Sequence, residues 1–290
     1  MTRSFLFVPA DSGRKLLKAA ESAADAIIVD LEDSVAPGEK ARARSIAREF
    51  LADQDERQFW VRINPLDTED ALADLRALMP ASPAGIVLPK PCGAKDAIKL
   101  GKLLDVLEQE HDLPAGNTLL LPIATERPAA LFHLHEYAGS TARLAGLTWG
   151  AEDLSASVGA SRSRDDDGRW TPPYELARSL CLFAAAAAGV PAIDTVFTDY
   201  RNDPGLRAFA ANARRDGFSG MLAIHPAQVA IINEAFSPSS DEVGRALRIV
   251  ELFEANPDAG TMGLDGEMID RPHLLQARRI LDLAKLPKSG

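Results

Sequence analysis

The sequence predicts an α/β fold, a TIM (β/α)8 barrel with a C-terminal helical extension. Short apolar runs alternate with helix-patterned stretches eight times between residues 1 and 235, and such alternation gives a parallel sheet covered by helices. Nearly every run is followed at once by a charged or polar residue, and a barrel builds its site at that end of its strands. The chain has 290 residues, enough for one such barrel with some length to spare.

Residues 3–8 (RSFLFV) form the first strand, closed by Pro9. Residues 11–20 follow with helical spacing, Leu16, Leu17 and Ala20 apolar against Arg14, Lys15 and Lys18. The second strand, 26–31 (AIIVDL), runs into Asp30, Glu32 and Asp33, and Pro37 opens an Ala- and Arg-rich helix with Glu39 in its first turn. The third strand, 58–63, carries Arg62 and ends at Asn64-Pro65. Thr68 then caps a helix with Leu72, Leu75 and Leu78 on one face. The fourth strand, 85–88, meets Pro89-Lys90-Pro91, and a long helix spans 95–110. Two apolar runs, LLLPIAT and LAGLTWGAE, make the fifth and sixth strands, and the polar stretch 161–170 reads as a solvated loop. A helix over 172–188, a strand over 190–195, a helix over 203–214 and a strand over 220–224 ending at His225-Pro226 complete the pattern.

Beyond Asn233 the character changes. Residues 236–290 form the extension, with a charged helix over 241–255 whose apolar face is Val243, Leu247, Val250 and Phe253. The Gly-rich stretch 260–266 reads as a mobile turn of the kind that forms lids. It leads to Met268-Ile269-Asp270 and a last helix to about residue 284.

Composition excludes several functions. The chain is 46% hydrophobic and 26% charged with a net charge of -10, which disfavours nucleic acid and anionic lipid as partners. Cys92 and Cys181 stand in no metal or redox spacing, so both are expected reduced. No secretory pattern or membrane-length apolar stretch is present, and a cytoplasmic location is expected. No Ser–His–Asp spacing, phosphate loop or dinucleotide fingerprint appears.

The residues gathered past the strands are Pro9, Glu32, Asp33, Arg62, Asn64, Lys90, Glu126, Glu152, Asp153, Asp194 and His225. Glu126 and Asp153 each close an apolar run, and positions 126 to 153 span 27 residues, about one strand–helix–strand unit. Two adjacent carboxylates without His or Cys companions suit a hard cation such as Mg2+. A pair of helix N-caps fits the same residues. Arg62, inside an apolar strand, either pairs with Glu32 or Asp33 or clamps a substrate carboxylate with two hydrogen bonds, the reading preferred here. Glu32 and Asp33 are helix-starting caps or partners of metal-bound waters. Lys90 is fixed between two prolines, while His225 and Asp194 read as structural hydrogen bonders.

Nine segments carry a family resemblance in order: RSFLFVPA, ADAIIVDLEDSVAPGEKARAR, VRINPLDTED, GIVLPK, ATERP, LTWGAEDLS, AIDTVFTD, DGFSGMLAIHPAQVAIINEAFSPS and DGEMIDRPH. Together they resemble the citrate lyase β-subunit-like branch of the HpcH/HpaI aldolase superfamily across essentially the whole chain. The resemblance implies a TIM barrel, Mg2+, and cleavage or formation of a carbon–carbon bond in 3-hydroxyacyl-CoA thioesters such as malyl- or citramalyl-CoA. It implies Glu126 and Asp153 as metal ligands, Arg62 on the oxygens of the 2-oxo acid, and Asp270 reaching a neighbouring subunit's site, where a departing acyl-CoA enolate would need a proton and Asp270 is the candidate acid. Arg14 and Lys18 resemble the positions that meet CoA phosphates, and a homo-oligomer, trimer or hexamer, is expected. The alternatives are a citryl–acyl carrier protein lyase subunit, a malyl-CoA thioesterase and a non-catalytic scaffold subunit. Arg127 departs from the pattern, in which a small or apolar residue often follows the metal-binding Glu, and it places an extra cation beside the expected metal.

Overall fold

A computed structural model describes residues 2–52, 54 and 59–284. Its strands are β1 (Ser4–Pro9), β2 (Ala26–Asp30), β3 (Phe59–Arg62), β4 (Gly85–Leu88), β5 (Leu119–Pro122), β6 (Leu147–Thr148), β7 (Ala192–Asp194) and β8 (Gly220–Ala223). They pair in parallel in the order β5-β4-β3-β2-β1-β8-β7-β6. Parallel bridges from Leu120 to Leu144 and from Ile123 to Thr148 close the ring between β5 and β6. This is the expected barrel. Gln58, at the start of the expected third strand, lies outside the described residues, as do residues 285–290 of the extension.

The strands read as continuous apolar runs because both of their faces are buried. Alternation still sorts the side chains: Ile27 and Val29 of β2 join the core under the helices, while Ala26 and Ile28 join the lumen with Phe5, Trp60, Val87, Leu121, Ile193 and Leu222. Trp60 fills much of that lumen. A Cβ at Gly85 would lie 2.2 Å from its ring, so glycine makes the room. The same alternation carries Asp30 and Arg62, level in register, to the lumen face at the mouth.

The helices are α1 (Gly13–Ala20), α2 (Lys40–Ala52), α3 (Glu69–Leu78), α4 (Ala94–Glu110), α5 (Ala151–Val158), α6 (Pro172–Ala188), α7 (Asp203–Asp216) and α8 (Pro226–Ala235). Four details of these connections and helices differ from the sequence reading. A short 3-10 turn, Pro37–Glu39, precedes α2. The link from β5 to β6 is a 3-10 stretch, Pro128–Tyr137, rather than an α-helix. On α3, Leu72 is exposed, and the Thr68 hydroxyl donates to the Pro65 carbonyl instead of capping the helix.

The extension comprises α9 (Ser240–Ala255), the antiparallel pair β9 (Thr261–Leu264) and β10 (Glu267–Asp270), and α10 (Arg271–Ala284). The expected Gly-rich mobile turn is therefore a hairpin, closed by Asp265 and Gly266 with φ of 52° and 84°. Two left-handed residues match the twist of paired strands. The buried stripe of α9 is Ala246, Ile249 and Phe253, packed with Ile269 and Ala277 in a small core of their own. The expected stripe is corrected: Leu247 is 47% exposed. The extension leaves from the face opposite the strand ends. Arg3, ahead of β1, donates to Ser237 at 2.9 Å, and Arg214, in the last turn of α7, pairs with Glu242 at 2.8 Å. Among the described residues, no helix is long and apolar enough to cross a membrane.

Candidate active site

At the mouth, β2 and β3 deliver a buried ion pair. Arg62 donates from Nε to Asp30 Oδ1 at 2.7 Å and from Nη2 to Asp30 Oδ2 at 2.6 Å. Its Nη1 lies 3.0 Å from Glu32 Oε2, and its guanidinium sits over the Phe7 ring, 4.7 Å from the centroid. Burial pushes the Asp30 carboxyl up, but the charge and hydrogen bonds of Arg62 outweigh it and hold Asp30 below the usual range. Glu32 goes the other way: burial dominates and raises it despite Arg62 and Lys90. Lys40 steadies this loop from beneath, donating to the carbonyls of Leu31 and Glu32 at 2.7 Å each and to Asn64 Oδ1 at 2.8 Å. Asn64 in turn donates to Asp74 at 2.7 Å.

Lys90 follows β4 with a left-handed φ of 49°. That conformation is uncommon for a side-chain-bearing residue and collects at functional positions. It turns the Lys90 N–H onto Glu126 Oε2, at 2.5 Å. The side chain runs to Glu32, to Asp33 at 3.1 Å and to Asp153 Oδ1 at 3.2 Å.

Glu126, just beyond β5, is 2% exposed. Burial first, then the negative charge of Asp153, lifts its carboxyl well above the ordinary value. Gly150 makes its space: a Cβ there would meet Glu126 Cγ at 2.5 Å. Asp153 is not at a strand end as expected. β6 stops at Thr148, and Asp153 sits in the first turn of α5. The N-cap reading is not met, since Gly150 and Arg127 hold the cap positions; Asp153 instead sits inside the first turn, which aims its carboxylate at the mouth.

The five carboxylates Asp30, Glu32, Asp33, Glu126 and Asp153 face two cations, Arg62 and Lys90, which leaves three formal negative charges in excess. A divalent cation answers that imbalance. Among the described residues no cluster of three or more His, Cys, Asp or Glu stands ready to hold a metal. The fit is therefore to a hard cation that takes two protein carboxylates and fills its remaining positions with water or substrate oxygens, which is how Mg2+ usually binds.

The expected residues Glu32, Asp33, Arg62, Glu126 and Asp153 come together here. Arg14 and Lys18 lie on α1, just past β1, and are exposed. Asp270 is not brought to the mouth of its own barrel. It lies on β10 with His273 Nδ1 2.6 Å from its Oδ1. Arg127 adds no free charge beside Glu126: its guanidinium turns to Asp67 at 2.7 Å and to Cys92 Sγ at 3.2 Å. Within the loop expected to be solvated, Arg164 stacks on Trp170 at 3.5 Å. His225 caps α8 by accepting from Ala227 N–H, and Asp194 accepts from Trp149 Nε1 and Arg178. The sequence reading missed Asp30 as the partner of Arg62, Lys40 as a support and Gly150 as the space for Glu126. The alternation Ala26, Ile28, Asp30 against Trp60, Arg62 was the available signal for the first.

The barrel and its acidic, cation-ready mouth define a (β/α)8-barrel enzyme. The HpcH/HpaI aldolase/citrate lyase family model matches residues 3–226, and the chain belongs to that family, among the carbon–carbon lyases. It is 34% identical over 291 residues to the citrate lyase subunit beta of Haemophilus influenzae, covering 98% of this chain and 97% of that one. It is 37% identical over 287 residues to a (3S)-malyl-CoA thioesterase of Cereibacter sphaeroides, covering 98% and 94%. Among solved structures, CitE from Mycobacterium tuberculosis in complex with magnesium, acetoacetate and coenzyme A superposes with a TM-score of 0.82 at 33% identity, covering 98% of each chain. A citrate lyase beta subunit of the same organism, complexed with oxaloacetate and magnesium, gives 0.70 at 34% identity, covering 82% and 97%.

Proposed function

We propose that this protein is a Mg2+-dependent lyase that breaks or forms the carbon–carbon bond of a 3-hydroxyacyl-CoA thioester, malyl-CoA, citramalyl-CoA or a near relative. The products of cleavage are a 2-oxo acid and acetyl-CoA or a related acyl-CoA. The observation that carries the reading is the buried Glu126 carboxyl beside Asp153 in a mouth short of positive charge. The magnesium, oxaloacetate and coenzyme A found in the related M. tuberculosis structures support it.

Glu126 and Asp153 would hold the cation, which supplies Lewis acidity to a substrate hydroxyl and carboxylate. Arg62 keeps its Nε and Nη2 on Asp30, so the edge carrying Nη1, which rests 3.0 Å from Glu32 Oε2, is the one that would exchange that contact for the carboxylate of the 2-oxo acid. Glu32 and Asp33 anchor Lys90 and orient water around the cation. Asp270 of a neighbouring subunit returns a proton to the departing acyl-CoA enolate, with residues 236–290 acting as a lid on that neighbour within a homo-oligomer. Exposed Arg14 and Lys18 meet the CoA phosphates.

A thioesterase outcome is the second reading, favoured by the malyl-CoA thioesterase relatives. The same site with water directed at the thioester would release free CoA. The citrate lyase relatives favour a third, with the thioester on an acyl carrier protein. A panel of malyl-, methylmalyl-, citramalyl- and citryl-CoA with Mg2+ tests the proposal: turnover of at least one to a 2-oxo acid is expected, and none for any would contradict it.

Arg62→Lys should be severely impaired although the charge is kept. A single ammonium cannot reproduce the two-point pairing with Asp30, and one lost charge-assisted hydrogen bond costs roughly 1.5–3 kcal/mol. Steady-state kinetics and thermal melting together separate the roles. A raised KM at a similar Tm assigns the loss to substrate binding; a lowered Tm with unchanged kcat/KM returns Arg62 to a structural ion pair.

A further inference from the structure

Lys90 takes part in this mouth in two separable ways. Its backbone N–H, aimed by the left-handed φ of 49°, holds Glu126 Oε2. Its ammonium holds three carboxylates: Glu32, Asp33 at 3.1 Å, and Asp153 Oδ1 at 3.2 Å. The first contact does not depend on the ammonium and is available to methionine, glutamine or arginine at this position. The second places a fixed positive charge on one of the two carboxylates that the proposed function gives to the cation.

We infer that Lys90 is an internal competitor of the divalent cation, its ammonium and the metal exchanging on Asp153 and so setting how tightly the metal is held. The inference rests on the metal reading of Glu126 and Asp153. Three features support it. A positive charge beside a ligand carboxylate opposes a second cation there. The ammonium has somewhere to go, because Glu32, 3% exposed, and Asp33 stay in contact with it when Asp153 is released. Only one of its three contacts has to break. Asp33 is 53% exposed at its side chain and can follow the ammonium as it swings. The arrangement offsets part of the mouth's negative charge with a tethered cation, and the metal is held by the difference between two cations rather than by the full field of the acids.

The test is Mg2+ titration calorimetry and thermal melting, with and without Mg2+, on the full-length wild type, Lys90→Met, Lys90→Gln and Lys90→Arg, with Glu126→Ala as the control for the metal reading. Lys90→Met and Lys90→Gln should bind Mg2+ roughly tenfold more tightly than wild type, and Mg2+ should raise their Tm by more. Lys90→Arg, which keeps the charge, should stay near wild type. Equal or weaker Mg2+ binding by both neutral variants, with Glu126→Ala failing to bind, overturns the inference and leaves the metal reading standing. Absence of Mg2+ binding by wild type, or unchanged binding by Glu126→Ala, overturns both. Neutral variants that fold only with Mg2+ support the inference, because the metal then replaces the missing charge. Neutral variants unfolded in both conditions give Lys90 a purely structural role and overturn it.

Discussion

Glu126→Ala and Asp153→Ala should each lower Mg2+ affinity and turnover by orders of magnitude while the barrel stays folded. A two-carboxylate site has no spare ligand, so losing either one removes half of the protein's hold on the ion. The fold should tolerate both changes. Glu126 is buried beside like charge, which gives its anion no net stabilising role, and Asp153 is partly exposed on the first turn of α5. Calorimetry with melting curves checks both halves of the expectation; unchanged Mg2+ binding in both variants would sink the assignment.

The same measurement should depend on pH. Burial and the Asp153 charge raise the Glu126 carboxyl, and Mg2+ needs the carboxylate, so affinity should climb as pH rises through that raised value. The sign for the metal-free protein is the reverse. A carboxyl with a raised folded-state pKa contributes stability at low pH that is lost as pH rises through the folded value. Metal-free Glu126→Gln should therefore lose less stability with rising pH than wild type does.

Mixing inactive Asp270→Ala with inactive Glu126→Ala, under conditions that let subunits exchange, should restore part of the activity. The extension is tied to the barrel at the face opposite the mouth, through Arg3–Ser237 and Arg214–Glu242, and its core is its own. An Asp270 carried there has no short path to its own Glu126, yet exposed Leu247, Met268 and Leu275 offer an apolar surface that a second subunit can cover. Hybrid sites pairing the intact Glu126 of one chain with the intact Asp270 of another would account for the recovery. If mass measurement proves exchange and no activity returns, Asp270 acts within its own chain or not at all.

The barrel was legible because its signals are local. Eight apolar runs, each stopped by Pro or a charge, survive in the sequence whatever the partners of each strand. The cluster at the mouth was legible for the same reason, since a residue just past a strand falls at one end of a parallel barrel. Pairing inside the cluster was not. Arg62 meets Asp30 through the register of β2 with β3, and the position of Asp153 depends on β6 being only two residues long. Neither is written in either segment alone. Arg127 shows the same limit, its charge being answered by Asp67, sixty positions earlier in the chain.

The activity proposed for this mouth is carbon–carbon cleavage at a cation held by Glu126 and Asp153. Its most direct measurement is the product ratio from malyl-CoA or citramalyl-CoA, with 2-oxo acid and free thiol followed separately in Mg2+ and in chelator. Mg2+-dependent release of the 2-oxo acid is expected, one for each thioester consumed, with no matching free thiol, and Glu126→Ala should lose that release. Stoichiometric free thiol with no 2-oxo acid, or release that persists in chelator, would contradict it.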